Sequence, residues 1–104
     1  MNYKEIVSEI SRLVKNSEPD ATVILYGSYA RGDHRVDSDI DVLILLGKDH
    51  ITPDDEKRVS YPLYALEFET GCIISPLVIG RKDWEKRHRI TPFYQNVQRE
   101  GVVL

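Results

Sequence analysis

Asp39 and Asp41 stand one residue apart at the mouth of an apolar run, Ile40 to Leu46, and ten residues separate Asp39 from a Gly27-Ser28 pair. Two ionised carboxylates about 4 Å apart repel by roughly 1 kcal/mol in water and about 4 kcal/mol at an effective dielectric near 20. A metal, a basic side chain or exposure to water must offset that cost. Residues i and i+2 of a strand point the same way. Asp39 and Asp41 therefore project together, while Ile40 and Val42 point to the other side. Two carboxylate oxygens on a strand suit Mg²⁺, with Mn²⁺ as the alternative; magnesium completes its octahedron with water and substrate phosphates. Such a pair can also be shared by two metals about 3.5–4 Å apart, the geometry of in-line phosphoryl transfer.

Gly27-Ser28 lies where a strand gives way to a short helix. Exposed N–H groups at a helix start attract phosphate, and glycine lets the phosphate approach the backbone. The Ser28 hydroxyl adds a donor. Arg31 could reach a phosphate oxygen or hold the loop acids Asp33 or Asp37. If the two strands are neighbours, phosphates at Gly27-Ser28 lie beside cations at Asp39 and Asp41, which outlines a nucleoside triphosphate site. The plain alternatives are a solvated acid pair at a loop–strand junction and an ordinary turn with a serine cap.

The elements that must position these residues follow from periodicity. Asn2 to Ser17 carries Ile6, Val7, Ile10, Leu13 and Val14 at helical spacing, with Lys4, Glu5, Glu9, Arg12 and Lys15 on the other face. Thr22 to Tyr26 reads as a strand, Tyr29 to Gly32 as a turn or so of helix, and Asp33 to Ser38 as polar loop. Ile40 to Leu46 is apolar on both faces in its later half, as a central strand is. Thr52-Pro53-Asp54-Asp55 starts a helix that ends near Thr70-Gly71, and Pro62 should kink or split it. Cys72 to Ile79 reads as a third strand, irregular or at an edge because of Pro76. Arg81 to Arg89 reads as a short polar helix docking Trp84 on the core, and Phe93 to Gly101 as a last helix. The order predicts an α/β (α+β) fold: a small mixed sheet of three or more strands packed by helices.

The 104 residues suggest one domain, residues 1–104, with enough chain for one core. Fourteen basic and seventeen acidic side chains give a net charge of −3, which argues against direct nucleic-acid binding. Cys72 is alone, so no internal disulfide forms. The Met1 end has no signal-like stretch, and Val42 to Leu46 is far too short to span a bilayer, so a cytoplasmic place with no membrane partner is expected. His34 reads as a solvated loop residue, and Cys72 as a small buried one.

A hydrophobic strand, Gly-Ser, ten residues, then Asp-Ile-Asp opening the next strand resembles the signature of the polymerase β-like nucleotidyltransferases. With Tyr29-Ala30-Arg31-Gly32 and Ser38 present, the whole chain resembles the minimal (MNT-type) members. That resemblance implies the nucleotidyltransferase fold, ATP or another NTP as substrate, and transfer of a nucleotidyl group to a hydroxyl. It casts Asp39 and Asp41 as catalytic, metal-binding acids, and Gly27, Ser28, Arg31 and Ser38 as nucleotide-binding residues. It also implies an antitoxin role beside a HEPN-domain toxin, some relatives placing AMP on a tyrosine of that toxin. Members of the superfamily commonly carry a third carboxylate on a later strand; Cys72 to Ile79 has none, and Glu67 and Glu69 fall just upstream, on the helix. General-base help is typically worth about 10²–10⁴-fold. The competing reading is therefore a catalytically weak protein of this fold that neutralises its partner by binding. A drug-modifying nucleotidyltransferase needs more chain for its acceptor pocket. The exposed active face of so short a domain invites a homodimer or a hetero-complex.

Overall fold

The computed structural model describes residues 1–104. The chain folds as α1 (Tyr3–Ser17), β1 (Thr22–Tyr26), α2 (Ser28–Arg31), β2 (Ile40–Leu46), α3 (Pro53–Thr70), β3 (Ile74–Gly80), α4 (Arg81–Lys86), α5 (Pro92–Glu100) and β4 (Val102–Val103). The four strands form one mixed sheet in the order β3-β2-β1-β4. β2 runs antiparallel to β1 and parallel to β3. The parallel pair requires a crossover, and α3 supplies it. No helix is long and apolar enough to cross a membrane.

Alternation along β2 builds two cores. Ile40, Val42, Ile44 and Leu46 face α1 and α3, packing with Ile6, Ile10, Val14, Val59, Leu63 and Leu66. Leu43 and Leu45 face the other way, with Ile79, Trp84 and Val97. Asp39 and Asp41 share the face of Leu43 and Leu45. The apolar cluster under α4 and α5 begins only at Leu43, so the acids sit at the uncovered end: Asp39 is exposed and Asp41 half-buried.

Both long helices start with reciprocal caps. The Asn2 side chain accepts from the Glu5 amide at 2.9 Å, and the Thr52 hydroxyl accepts from the Asp55 amide at 3.1 Å. Asp55 in turn accepts from the Thr52 amide at 3.0 Å and from Lys48 Nζ at 2.7 Å. Pro62 does not split α3, which runs unbroken from Pro53 to Thr70. Proline inside a helix costs about 3 kcal/mol; burial of Val59, Leu63 and Leu66 around it recovers that, at about 1.5–3 kcal/mol for each large aliphatic chain.

Four further expectations need correction. The third strand starts at Ile74, two residues later than the apolar run suggests. The polar helix ends at Lys86, short of Arg89. His34 is no solvated loop residue: its ring stacks on Tyr29 at 4.1 Å and leans on Tyr3 at 4.9 Å. Cys72 is half-buried, packed against the larger core. β4 is an element the sequence does not announce. Its two residues pair with Ile24 and Leu25 only because β1 leaves an edge free.

Candidate functional site

The site begins where β1 stops. Tyr26, its last residue, pairs with Asp41. Gly27 then takes φ +76°, ψ −154°, a conformation open to glycine and strained for any residue with a Cβ. A Cβ there would lie 2.5 Å from Asp41 Oδ2. The Asp41 carboxylate thus packs against bare backbone. The Ala30 and Arg31 amides bond back to the Gly27 carbonyl at 3.1 and 3.0 Å, so the first two amides of α2, those of Ser28 and Tyr29, have no backbone partner. They are the donors an anion would meet. Tyr29 anchors this turn in the core, 9% exposed, with the His34 ring stacked on it.

Asp39 leans to the other flank. Ser75 Oγ on β3 donates to Asp39 Oδ2 at 3.3 Å, and Ser75 stands in register with Asp41. Burial pushes the Asp41 carboxyl above the usual carboxylate range, the Asp39 charge pushes it further, and Arg31 pulls partly back. Two carboxylates on one face, one of them desolvated and facing its neighbour's charge, form a donor set that fits a divalent cation. Asp39 and Asp41 are the residues that could hold it.

Arg31 is committed to carboxylates. Its Nε bonds Asp33 Oδ2 at 3.1 Å and its Nη1 bonds Glu100 Oε2 at 3.3 Å; Asp37 is not among its partners. It ties the turn after β1 to the end of α5. Ser38 Oγ accepts from the Arg35 amide at 2.7 Å, and the Ser38 amide donates to the Arg35 carbonyl at 3.1 Å. That serine shapes the loop ahead of the acids, and its hydroxyl proton remains available. Gly27, Ser28, Arg31, Asp39 and Asp41 therefore come together around one end of the β1–β2 pair.

No third acid joins them. Glu67 lies on α3, with Oε1 accepting from the Ile74 amide at 2.7 Å, and Glu69 is exposed on the same helix. By alternation Ser75 and Leu77 of β3, with Ile73 just ahead of the strand, stand on the site face. Sequence reading missed Ser75 and Glu100. Ser75 was legible in principle as the small polar member of an alternating run. Glu100, 69 residues from Arg31, carried no local signal. A small hollow of about 120 Å³ opens between Gly27, Tyr26, Phe93, Asn96 and Glu100. A larger one, about 300 Å³, lies at the far ends of β2 and β3 beside Asp49, Gly80 and Asp83, away from the acid pair.

Comparison with known proteins gives a consistent match. The profile of the nucleotidyltransferase domain family matches residues 4–90. A Methanocaldococcus jannaschii protein named "Putative protein adenylyltransferase MJ0141" is 34% identical over 95% of this chain and 91% of its own length. A crystal structure of a toxin–antitoxin pair with AMP-PNP superposes with a TM-score of 0.65 at 20% identity, over 92% of this chain and 69% of that one. A structure described as a "putative minimal nucleotidyltransferase" gives 0.64 at 24% identity, over 100% of this chain and 97% of that one.

Proposed function

Since the chain belongs to the nucleotidyltransferase domain family and is an enzyme of that class, we propose that it moves the AMP unit of ATP, with Mg²⁺, onto a hydroxyl of a partner protein. The observation that carries this reading is the packing of Asp41 against Gly27, which sets an acid pair beside two unpartnered amides. The triphosphate lies along the Ser28 and Tyr29 amides with the Ser28 hydroxyl as a further donor. The α-phosphate sits over Asp39 and Asp41. A bound divalent cation there supplies charge neutralisation for the phosphate oxygens. Arg31 holds the phosphate-side turn to α5, and Ser38 holds the loop that delivers Asp39.

The named adenylyltransferase relative favours ATP and a protein acceptor. The toxin–antitoxin neighbour, with its AMP-PNP, is in keeping with an antitoxin role. A HEPN-type toxin as the partner and a cytoplasmic place rest on the resemblance of the Gly27-Ser28 to Asp39-Ile40-Asp41 stretch to the minimal nucleotidyltransferases. A second reading has one observation behind it. Ser75 stands on β3 where a third carboxylate would face the pair, so a slow enzyme that neutralises its partner chiefly by binding follows as well.

Co-expression with the product of the neighbouring gene, followed by the partner's intact mass, separates the two. Wild type adds one or more AMP units and Asp41→Asn adds none under the first reading. A tight complex with unchanged mass in both supports the second and rejects transfer.

A further inference from the structure

Displacement at phosphorus is in line: the attacking oxygen enters opposite the leaving one. In the reading above, which this inference extends, the leaving pyrophosphate lies on the β1 flank, at Gly27 and Ser28. The acceptor oxygen bonds to the α-phosphorus as the bond to the bridging oxygen breaks; pyrophosphate takes the electron pair and the acceptor proton passes to water. The acceptor must then approach over the opposite flank, which is β3.

That flank has a distinct surface. Ile73 is 52% exposed and Leu77 40% exposed, one on each side of Ser75 and on the face of the acids. Its outer edge is also unusual. The Ile40 amide donates to the Ile73 carbonyl, so by alternation Ile74, Pro76 and Val78 turn their amide positions away from β2. Ile74 spends its N–H on Glu67 Oε1 at 2.7 Å, and proline has none. Gly80 is the fourth outward position of β3. Two of the four are therefore unavailable, both at the end beside the acids, and an added strand would find little to pair with there.

We propose that the acceptor docks across Ile73, Ser75 and Leu77 as an amphipathic helical segment, packed by side chains and not added as a strand. Four residue steps, from Ile73 just ahead of β3 to Leu77 within it, separate the two apolar side chains by roughly 13 Å. Apolar residues four before and four after a hydroxyl residue on a helix are about 12 Å apart. The hydroxyl at the centre then faces Asp39 and Ser75.

The test uses three synthetic peptides with one central tyrosine. The first is helical with leucine at i−4 and i+4, the second has glutamine at both places, and the third is a Thr/Val strand former. Each is titrated into ¹⁵N-labelled protein holding AMP-PNP and Mg²⁺. The leucine peptide should shift the amides of residues 73–77 and bind about tenfold tighter than the glutamine peptide. Leu77→Ser and Ile73→Ser should each weaken it several-fold and leave the AMP-PNP shifts unchanged; both side chains are exposed, so folding is not at stake. Three results overturn the proposal: tighter binding by the strand peptide, shifts centred on Tyr61, Tyr64 and Phe68 of α3, or no localised shifts with any peptide. AMP-PNP that leaves residues 27, 28, 39 and 41 unshifted would instead reject the nucleotide reading, a separate outcome read in the same spectra.

Discussion

Ser75 Oγ and Asp39 Oδ2 lie 3.3 Å apart across the β2–β3 pair, so the hydroxyl that answers the acid pair comes from β3, on the side away from Gly27. A hydroxyl can orient Asp39 but cannot take a proton from an acceptor at neutral pH as a carboxylate can.

Ser75→Asp should therefore speed transfer to a partner protein by about 10²-fold, the lower end of general-base effects. It should also lower thermal stability in the absence of a divalent cation, because a third like charge joins the pair. Single-turnover rates with radiolabelled ATP, beside melting curves with and without Mg²⁺, check both. An unchanged rate means that proton removal does not limit the step.

Gly27→Ala should weaken ATP binding by more than tenfold. Its φ of +76° and ψ of −154° strain any side chain by roughly 1–3 kcal/mol, and the methyl would force the Asp41 carboxylate from its place. A fluorescent ATP analogue measures the affinity. Near-wild-type binding would remove the Gly27–Asp41 packing from the site.

Asp41→Asn should abolish transfer and raise thermal stability at pH 7. The folded Asp41 carboxyl titrates above its unfolded value, through burial first and Asp39 second. A raised acid favours the fold at low pH and turns against it as pH rises through the folded value. The gain should therefore shrink toward zero below about pH 4. Mg²⁺ should raise the melting temperature of the wild type and leave the variant nearly unchanged. Calorimetry across pH, with and without the metal, tests both halves.

Asp55→Asn should act with the opposite sign. Lys48 first, then the Thr52 amide and Arg58, hold the Asp55 carboxyl well below the usual carboxylate range. Such a depressed acid stabilises the fold above its unfolded value and loses that contribution as pH falls through the folded one. The variant should melt lower at pH 7 and converge on wild type in strong acid. Thr52→Ala, which removes the reciprocal cap, should cost about 1 kcal/mol. Neither change should alter the affinity for ATP, since both sit at the start of α3.

Much of this was legible in the chain itself because it is local. The period-3.6 pattern of Ile6, Ile10 and Val14 fixes α1, and the spacing Thr52-Pro53-Asp55 fixes the start of α3. Alternation places Asp39 and Asp41 on one face before any fold is known. The fates of Arg31 and His34 were not legible: one lies 69 residues from its partner Glu100 and the other stacks between aromatic rings brought together by folding. That Pro62 does not split α3 was hidden for the same reason, since local propensity could not count the burial that keeps the helix unbroken through it.

The sequence by itself determined the acids, the glycine turn and the strands that carry them, because strand alternation and the need for a bare backbone are properties of neighbouring residues. Only the tertiary structure decided that Asp41 leans on Gly27 while Asp39 leans on Ser75, that β3 keeps an apolar face beside them, and that the Ile74 amide on its outer edge is spent on Glu67. Those relations depend on which strands lie side by side. Hydrogen-bond register across the sheet sets that, through contacts far apart in the chain.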